Sequence, residues 1–330
     1  MTCVNHLKQF GLAVHNHHDA QGSVPPATIG RTSTRAENGR ASFWVFILPY
    51  MEQQSIYDLV VEKSDRFSLP LDGDNFWNDE STATQTALSS VKMFLCPSRR
   101  SSALNLVGQT GPATGTGLYG PLGDYAIVVG MDFGHWGDSA AWDNLTNGRY
   151  ANSDWRGPFL AAVWTDLADP KSWRARNDFS WWADGTSNQF IIGEKCIYAG
   201  ALGRCDVTSI ANVGRAYSGD CSIFAAGNLC NIPVGRSFNG LIANIPNKTH
   251  PNNSAHPPPT EVENQELWGS FHPGICNFLL GDGSVRPVSV TIPAGALKVE
   301  PAQAVNVLLN TNSILAKMGH VNDGSPVSLP

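Results

Sequence analysis

The chain is short of charge. Asp, Glu, Lys and Arg make up only 15% of its 330 residues, and the net charge is −6. No run of Lys or Arg occurs, so the basic footprint that phosphate contacts need is missing and nucleic acid is not an expected partner. No stretch of about 18 apolar residues is present to cross a bilayer, and no signal peptide is visible. None of the seven cysteines forms a C-x-x-C pair, which argues against zinc ribbons and thioredoxin-like sites. The signatures G-x-S-x-G and H-E-x-x-H and the P-loop are absent as well.

Gly, Pro, Asn, Ser and Thr fill the gap that charge leaves, which predicts long ordered loops and many turns. A chain of this length buries a large core as one elaborated domain or two. Val4, Leu7, Gly11, Val14 and His18 recur at steps of three and four, which predicts a helix over 4–18 with that stripe buried. Gly22 and Pro25-Pro26 end it. Pro49 fits the first turn of a second helix over roughly 49–60. From about residue 90 the signals change to short strands: "VKMFLCP", "DYAIVVG", "GPFLAAVW", "NQFIIGEKCIYAG" and "CNFLLGDGSVRPVSV". Asp282-Gly283 between two apolar runs predicts a hairpin with positive φ at both central positions. "PAQAVNVLLNTNSILAKMG" includes a late helix. The pattern is α+β: a helix, then an antiparallel sheet with long loop insertions. Cys196, Cys205, Cys221 and Cys230 cluster in loop-like sequence, which suits local disulfides in an oxidising compartment or buried free thiols.

The order of motifs resembles a large family of unknown function, expanded in planctomycetes, with a prepilin-type N-terminus and a C-terminal motif of His, nine residues and Asp-Gly. The residues that carry the resemblance are "NHLKQFGLAVHNHHDAQGSVPP", "ILPYMEQQSIYD", "FLCPS", "GDYAIVVG", "DGTSNQFIIGEK", and His272 followed after nine residues by Asp282-Gly283. His15, His18 and Asp19 match the family's first segment, whereas His6 and His17 stand where it normally has Asn and an aromatic. The resemblance implies a type IV pilin or pseudopilin-like fold. It implies a single domain over 1–330, with a truncated spine helix in 1–25 and a C-terminal hairpin and tail in 270–330. It implies export to the periplasm or cell surface, with membrane contact only through an N-terminal segment missing from this chain. Other pilin-like subunits become possible partners. Cys3 and Cys96 flank landmarks that could meet at the helix start, so a disulfide is expected either there or within the four-cysteine cluster.

Four groups of residues offer chemistry. His15, His18 and Asp19, at i, i+3 and i+4 on a helix, could share a metal. Yet His18 continues the apolar stripe and reads first as a packed structural residue. His272, with Asp282 and Gly283, reads as a structural imidazole bonded to the hairpin turn or to the helix. Asp72, Asp74, Asn75 and Asp79 around Gly73 offer hard oxygens suited to calcium, as do Asp132, Asp138, Asp143 and Asn144. Any metal is therefore expected to be calcium in an acidic loop rather than a transition metal at the histidines. Residues 131–182 hold seven of the ten tryptophans. Trp136, Trp142, Trp155, Trp173, Trp181 and Trp182, beside amides and carboxylates, suit a sugar: the ring covers its apolar face and polar groups take the hydroxyls.

These readings combine into a non-catalytic binding or assembly module for a polysaccharide or other surface polymer. Two alternatives remain open. One is a metal-dependent hydrolase of an ester, lactone or glycoside using His15, His18, Asp19 and His272; the other is a structural fibre subunit.

Overall fold

A computed structural model describes residues 2–29, 40–64, 80–100, 120–128, 157–164, 172–197, 202, 205–210, 214–220, 222–226, 235–236, 242–244, 268–292, 298–299, 308–309, 314–319 and 321. Helix α1 (Thr2–Gln21) opens the chain and buries Cys3, Leu7, Phe10, Gly11, Ala13, Val14 and His17. The helix is longer than the periodicity predicts, because Gly22 closes it in the left-handed region at φ 69° and donates its N–H to the His18 carbonyl at 2.7 Å. The buried stripe is also turned by about one residue. Val4 and His18 lie at its margin, while Cys3 and His17 lie inside.

Three short helices follow: α2 (Phe43–Phe46), α3 (Gln54–Lys63) and α4 (Thr82–Leu88). Ser42 caps α2 by accepting the Trp44 N–H at 3.2 Å, as a serine at this position commonly does. The helix expected over 49–60 is split. Leu48–Met51 form a 3-10 turn, Glu52 takes a left-handed conformation at φ 60°, and α3 starts afresh beyond it. "VKMFLCP" is another departure, folding as a 3-10 turn over Lys92–Phe94 rather than a strand.

The central sheet has five strands, in the order Val285–Ser289, Ile275–Leu280, Phe190–Glu194, Tyr125–Val128 and Gly235–Arg236. The first four pair antiparallel, and the two-residue edge strand joins in parallel. The protein is therefore α+β, an N-terminal helix packed on a mainly antiparallel sheet. Side chains alternate across that sheet as the period of two requires. Tyr125, Ile127, Ile192 and Leu279 join the core beneath α1. Ala126, Val128, Phe190, Cys276, Phe278 and Leu280 join a second cluster on the far face, with Leu315 and Met318 of α5 (Ile314–Gly319).

Phe10 sits at the centre of the helix-side core. Its ring centroid lies 5.3 Å from Trp44, 6.1 Å from Phe94 and 5.2 Å from Tyr125. Burying a ring of this kind stabilises by about 1.5–3 kcal/mol. Gly11 permits the helix's close approach to the sheet. A Cβ there would stand 3.0 Å from Leu279 Cδ1 and 3.3 Å from Gly283 Cα.

The hairpin forms where Asp282-Gly283 predicts it, with different turn geometry. Only Gly283 has positive φ, at 82°. Its N–H donates to the Leu280 carbonyl at 3.0 Å, and the Leu280 N–H donates to Ser284 O at 2.8 Å. This is a three-residue loop with glycine in the left-handed position. Asp282 serves instead as an acceptor, its Oδ1 taking the Ser284 N–H at 2.9 Å.

Candidate functional site

The first turn of α1 brings Cys3 against Cys96, which lies in the turn after the Lys92–Phe94 helix. The two are joined by a disulfide with Cα atoms 5.5 Å apart. This is the helix-start pairing among those expected. Cys196 is buried and not disulfide-bonded, so it takes no part in the local disulfide cluster that its neighbourhood suggested. Cys276 is likewise not disulfide-bonded, and burial pushes its thiol well above the ordinary pKa.

Two further side chains converge on this disulfide. Glu194 ends its strand on the helix side of the sheet, opposite Tyr125, and is 1% exposed. Its Oε2 accepts the Asn277 N–H at 2.7 Å and Asn277 Nδ2 at 2.9 Å. Its Oε1 faces His272 Nε2 at 3.1 Å and Cys96 Sγ at 3.8 Å. His272 Nε2 is likewise 3.8 Å from Cys96 Sγ, and its Nδ1 lies 3.4 Å from the Ser98 hydroxyl. This network fits an Nε2–H that donates to Glu194 and an Nδ1 that accepts from Ser98. Ser270 secures the loop, accepting the His272 N–H at 3.0 Å and donating to Ile275 O at 2.6 Å. One donor atom from each of Cys3, Cys96, Glu194 and His272 lies within 4.8 Å of all the others.

A buried charge network backs this cluster. Asp124, fully buried, accepts the Cys96 N–H at 2.7 Å and an N–H of Arg99 at 3.0 Å. It also takes the guanidinium of Arg100, which reaches on to Asp220. Burial opposes ionisation of Asp124, but Arg99 and Arg100 against it hold its carboxyl below the usual range. Arg100 is likewise opposed by burial and held above the usual arginine value by Asp220 and Asp124. Arg99 also donates to the carbonyls of Lys195 at 2.7 Å and Gly269 at 3.0 Å, tying the Glu194 strand to the His272 loop. Nearby, His6 Nδ1 lies 3.3 Å from the Tyr125 hydroxyl. Burial lowers the pKa of His6.

The opposite end of α1 holds the other histidines, with about 21 Å of helix between Cys3 and His17 at 1.5 Å per residue. His15 Nε2 bonds the Gly281 carbonyl at 2.9 Å. His15, not His272, therefore ties the helix to the hairpin turn, since the whole Ile275–Leu280 strand separates His272 from that turn. His17, which stands where the family normally has an aromatic, is buried. Its Nδ1 donates to Ser23 O at 2.8 Å, and burial lowers its pKa. His18, expected inside, lies flat on the Phe179 ring at 4.1 Å and is partly exposed. Its Nδ1 is 3.7 Å from Asp19 Oδ1, and the Asp19 side chain is 81% exposed. His18 stacks on Phe179 while His15 meets the same ring tilted at 45°, its Nε2 turned to the Gly281 carbonyl. The His15, His18, Asp19 and His272 set is thus divided between the two ends of the helix.

Beside that end opens a cleft of about 580 Å³. It is lined by His17, Gln21 and Ser23 from α1 and its exit, by Tyr57, Asp58, Val61 and Glu62 of α3, and by Trp173, Arg174 and Ala175. Trp173 is half-buried and leans on Phe46 at 4.9 Å between ring centroids. Burial, with Tyr50 and Asp58 nearby, pushes the Tyr57 phenol up to about 12.

Of the tryptophans expected to meet a ligand, Trp173 lines this cleft. Trp181 is half-buried, its Nε1 donating to Gly157 O at 3.0 Å. Trp182 is a correction. It is 2% exposed within the main core, and its Nε1 donates to Pro158 O at 2.9 Å, so no surface ligand reaches it. Trp136, Trp142, Trp155 and the acidic-loop residues Asp72, Asp74, Asn75, Asp79, Asp132, Asp138, Asp143 and Asn144 lie outside the described residues.

Sequence reasoning missed Glu194, Asn277, Asp124, Asp220 and the Arg99-Arg100 pair. A signal existed for the arginines, since two cations directly after a cysteine landmark in a charge-poor chain invite buried partners. Glu194 at the end of "FIIGE" was a comparable signal, because a carboxylate closing a fully buried strand needs neighbours that donate.

Neither the comparison with curated proteins nor that with solved structures finds a match. The family model that matches is described as a protein of unknown function (DUF1559), and it aligns with residues 1–295. A helix, a hairpin and a cysteine pair drawn from across that span are parts of one framework, and the chain belongs to the DUF1559 family.

Proposed function

We propose that the protein is a non-catalytic binding module of an exported, pilin-like surface protein, and that the cleft beside the end of α1 holds a segment of a glycan or similar hydroxyl-rich polymer. The observation that carries the reading is the lining of that cleft. The rings of Trp173 and Tyr57 stand beside the hydrogen-bonding groups of Asp58, Glu62, Arg174 and Gln21. A pyranose needs this combination, an apolar face to cover and hydroxyls to bond. The volume falls in the range of about 300–1,000 Å³ typical of small-ligand clefts. Export is supported by the Cys3–Cys96 disulfide, since such bonds persist in oxidising compartments. Among the described residues no helix is long and apolar enough to cross a membrane.

The test is calorimetric titration with a panel of soluble oligosaccharides and polysaccharide fragments. Trp173→Ala should weaken binding at least tenfold while leaving the fold intact, and Asp58→Asn with Glu62→Gln should weaken it less. Binding indifferent to Trp173→Ala would remove the cleft from the reading. Turnover of an ester, lactone or glycoside that vanishes in a well-folded His272→Ala variant would favour the hydrolase instead.

A further inference from the structure

The cluster at the start of α1 has a donor set that its present bonds do not exhaust. We propose that Cys3, Cys96, His272 and Glu194 form a binding site for a borderline-soft divalent cation, zinc above all, which opens when the Cys3–Cys96 disulfide is reduced and closes when it re-forms.

The first argument is geometric. Tetrahedral zinc holds sulfur at about 2.3 Å and imidazole nitrogen or carboxylate oxygen at about 2.0–2.2 Å, which sets neighbouring donors roughly 3.3–3.8 Å apart. Cys96 Sγ lies 3.8 Å from both His272 Nε2 and Glu194 Oε1, and those two atoms are 3.1 Å apart. Three edges of a tetrahedron are nearly in place before any metal enters. The sulfur–sulfur edge is too short, because those atoms are covalently bonded, and Cys3 Sγ lies within 4.8 Å of the other donors.

The second argument concerns what surrounds the donors. Asn277 holds Oε2 of Glu194 through two hydrogen bonds, which leaves Oε1 turned toward the sulfurs. Ser98 engages Nδ1 of His272 and leaves Nε2 facing inward. Metal sites orient their ligands by such outer contacts. The Glu194 carboxylate is 1% exposed, and a buried carboxylate is costly without a positive or protonated partner. The His272 side chain is 19% exposed and Ser98 is exposed, so an ion has a way in.

The chemistry balances. A dithiol reductant gives two electrons and two protons to the disulfide. The S–S bond breaks, Cys3 and Cys96 become thiols, and the reductant closes its own disulfide. Zinc then displaces the two thiol protons and takes both sulfurs as thiolates; the imidazole proton of His272 passes from Nε2 to Nδ1, where the Ser98 hydroxyl accepts it, and Nε2 and Glu194 Oε1 complete four ligands. Two thiolates and an imidazole select zinc over calcium or magnesium, which prefer oxygen. The site stands at the other end of α1 from the cleft and does not depend on the cleft's ligand.

The experiment reduces the purified chain with dithiothreitol under argon, removes the reductant by gel filtration, and titrates zinc or cobalt(II). The expected result is one zinc bound at this site in the reduced chain and none there in the oxidised one. Cobalt should give the absorption of a tetrahedral thiolate centre, and zinc should shield Cys3 and Cys96 from alkylation as read by peptide mass spectrometry. Glu194→Gln and His272→Ala should each weaken zinc at least tenfold while the disulfide still forms on oxidation, which a merely structural role would not produce. Should the reduced, metal-free chain unfold, zinc should restore its near-ultraviolet circular dichroism. The proposal is overturned if reduced protein shows no zinc-dependent shielding of Cys3 and Cys96 and zinc does not restore the fold. It is equally overturned if uptake is undiminished in Cys3→Ser, which would assign the metal to the other cysteines.

Discussion

The two ends of α1 solve opposite problems with similar residues. At the Cys3 end, polar groups are drawn into the interior and held by neighbours: a disulfide, a carboxylate on an imidazole, and two guanidinium groups on two carboxylates. At the His17 end, one imidazole is buried on a carbonyl, two others lie against the Phe179 ring, and a cleft is lined by tryptophan, tyrosine and charged groups. Buried, mutually paired polar groups thus gather at one end of the helix, and the open cleft lies at the other. A histidine's role follows from which end it occupies, not from its being a histidine.

The largest test of this contrast is removal of the cross-link. Replacing Cys3 and Cys96 together with Ser frees a loop of 93 residues. In the chain-entropy model a loop of about 100 residues is worth about 4.7 kcal/mol, and urea denaturation should show a loss approaching that. Asp124→Asn comes next. It leaves Arg99 without the carboxylate it pairs with and Arg100 with Asp220, and breaking such a network by one partner costs about 3–5 kcal/mol. Thermal and urea unfolding should both record it. If the change were as mild as a surface substitution, the buried pairs at the Cys3 end would contribute little to stability.

At the other end the effects should be smaller. His15→Ala leaves the Gly281 carbonyl without its imidazole partner, and an abandoned buried acceptor costs about 1–3 kcal/mol. His18→Ala removes a partly exposed ring from Phe179 and should cost less than His15→Ala in the same urea titration. A reversed order would restore the stripe that the sequence predicted, with His18 inside.

Acid should weaken both ends together. Burial holds His6 and His17 below the ordinary imidazole value of 6.5. As pH falls through 6.5 the unfolded chain takes up protons that the folded one refuses, so stability falls with pH. Asp124 adds its own loss only at lower pH, below the ordinary carboxyl value of 3.8, because its folded pKa is depressed. Melting temperatures measured from pH 8 to pH 5 should decline, and His17→Gln should flatten part of that decline. A profile level over that range would mean that these imidazoles keep their proton affinity on folding.

The legible parts of this molecule are those in which a local period carries the information. The apolar recurrence in α1 and the alternation around Asp282-Gly283 marked a helix and a hairpin, and both form. The same reading misplaced the helix face by one residue. Val4 and Cys3, or His18 and His17, are nearly interchangeable on hydrophobicity alone, and contacts decided between them: Cys96 draws in Cys3, and Ser23 O with the Tyr50 ring draws in His17. The cleft was legible in one residue, Trp173. Trp182 carries the same side chain yet points into the core, a distinction that no composition reveals.

The sequence by itself determined the class, an α+β chain with an N-terminal helix and a C-terminal hairpin. Periods of 3.6 and 2 and turn residues act over a few positions and need no distant partner. Only the tertiary structure decided which polar residues meet. His272 faces Glu194 rather than the turn, His15 takes the turn in its place, and Asp124 gathers two arginines beside Cys96. The physical reason is that a buried charge or imidazole is stable only beside a complementary group. In this chain those groups come from strands and loops far apart in sequence, brought within hydrogen-bonding distance only when the sheet closes beneath the helix.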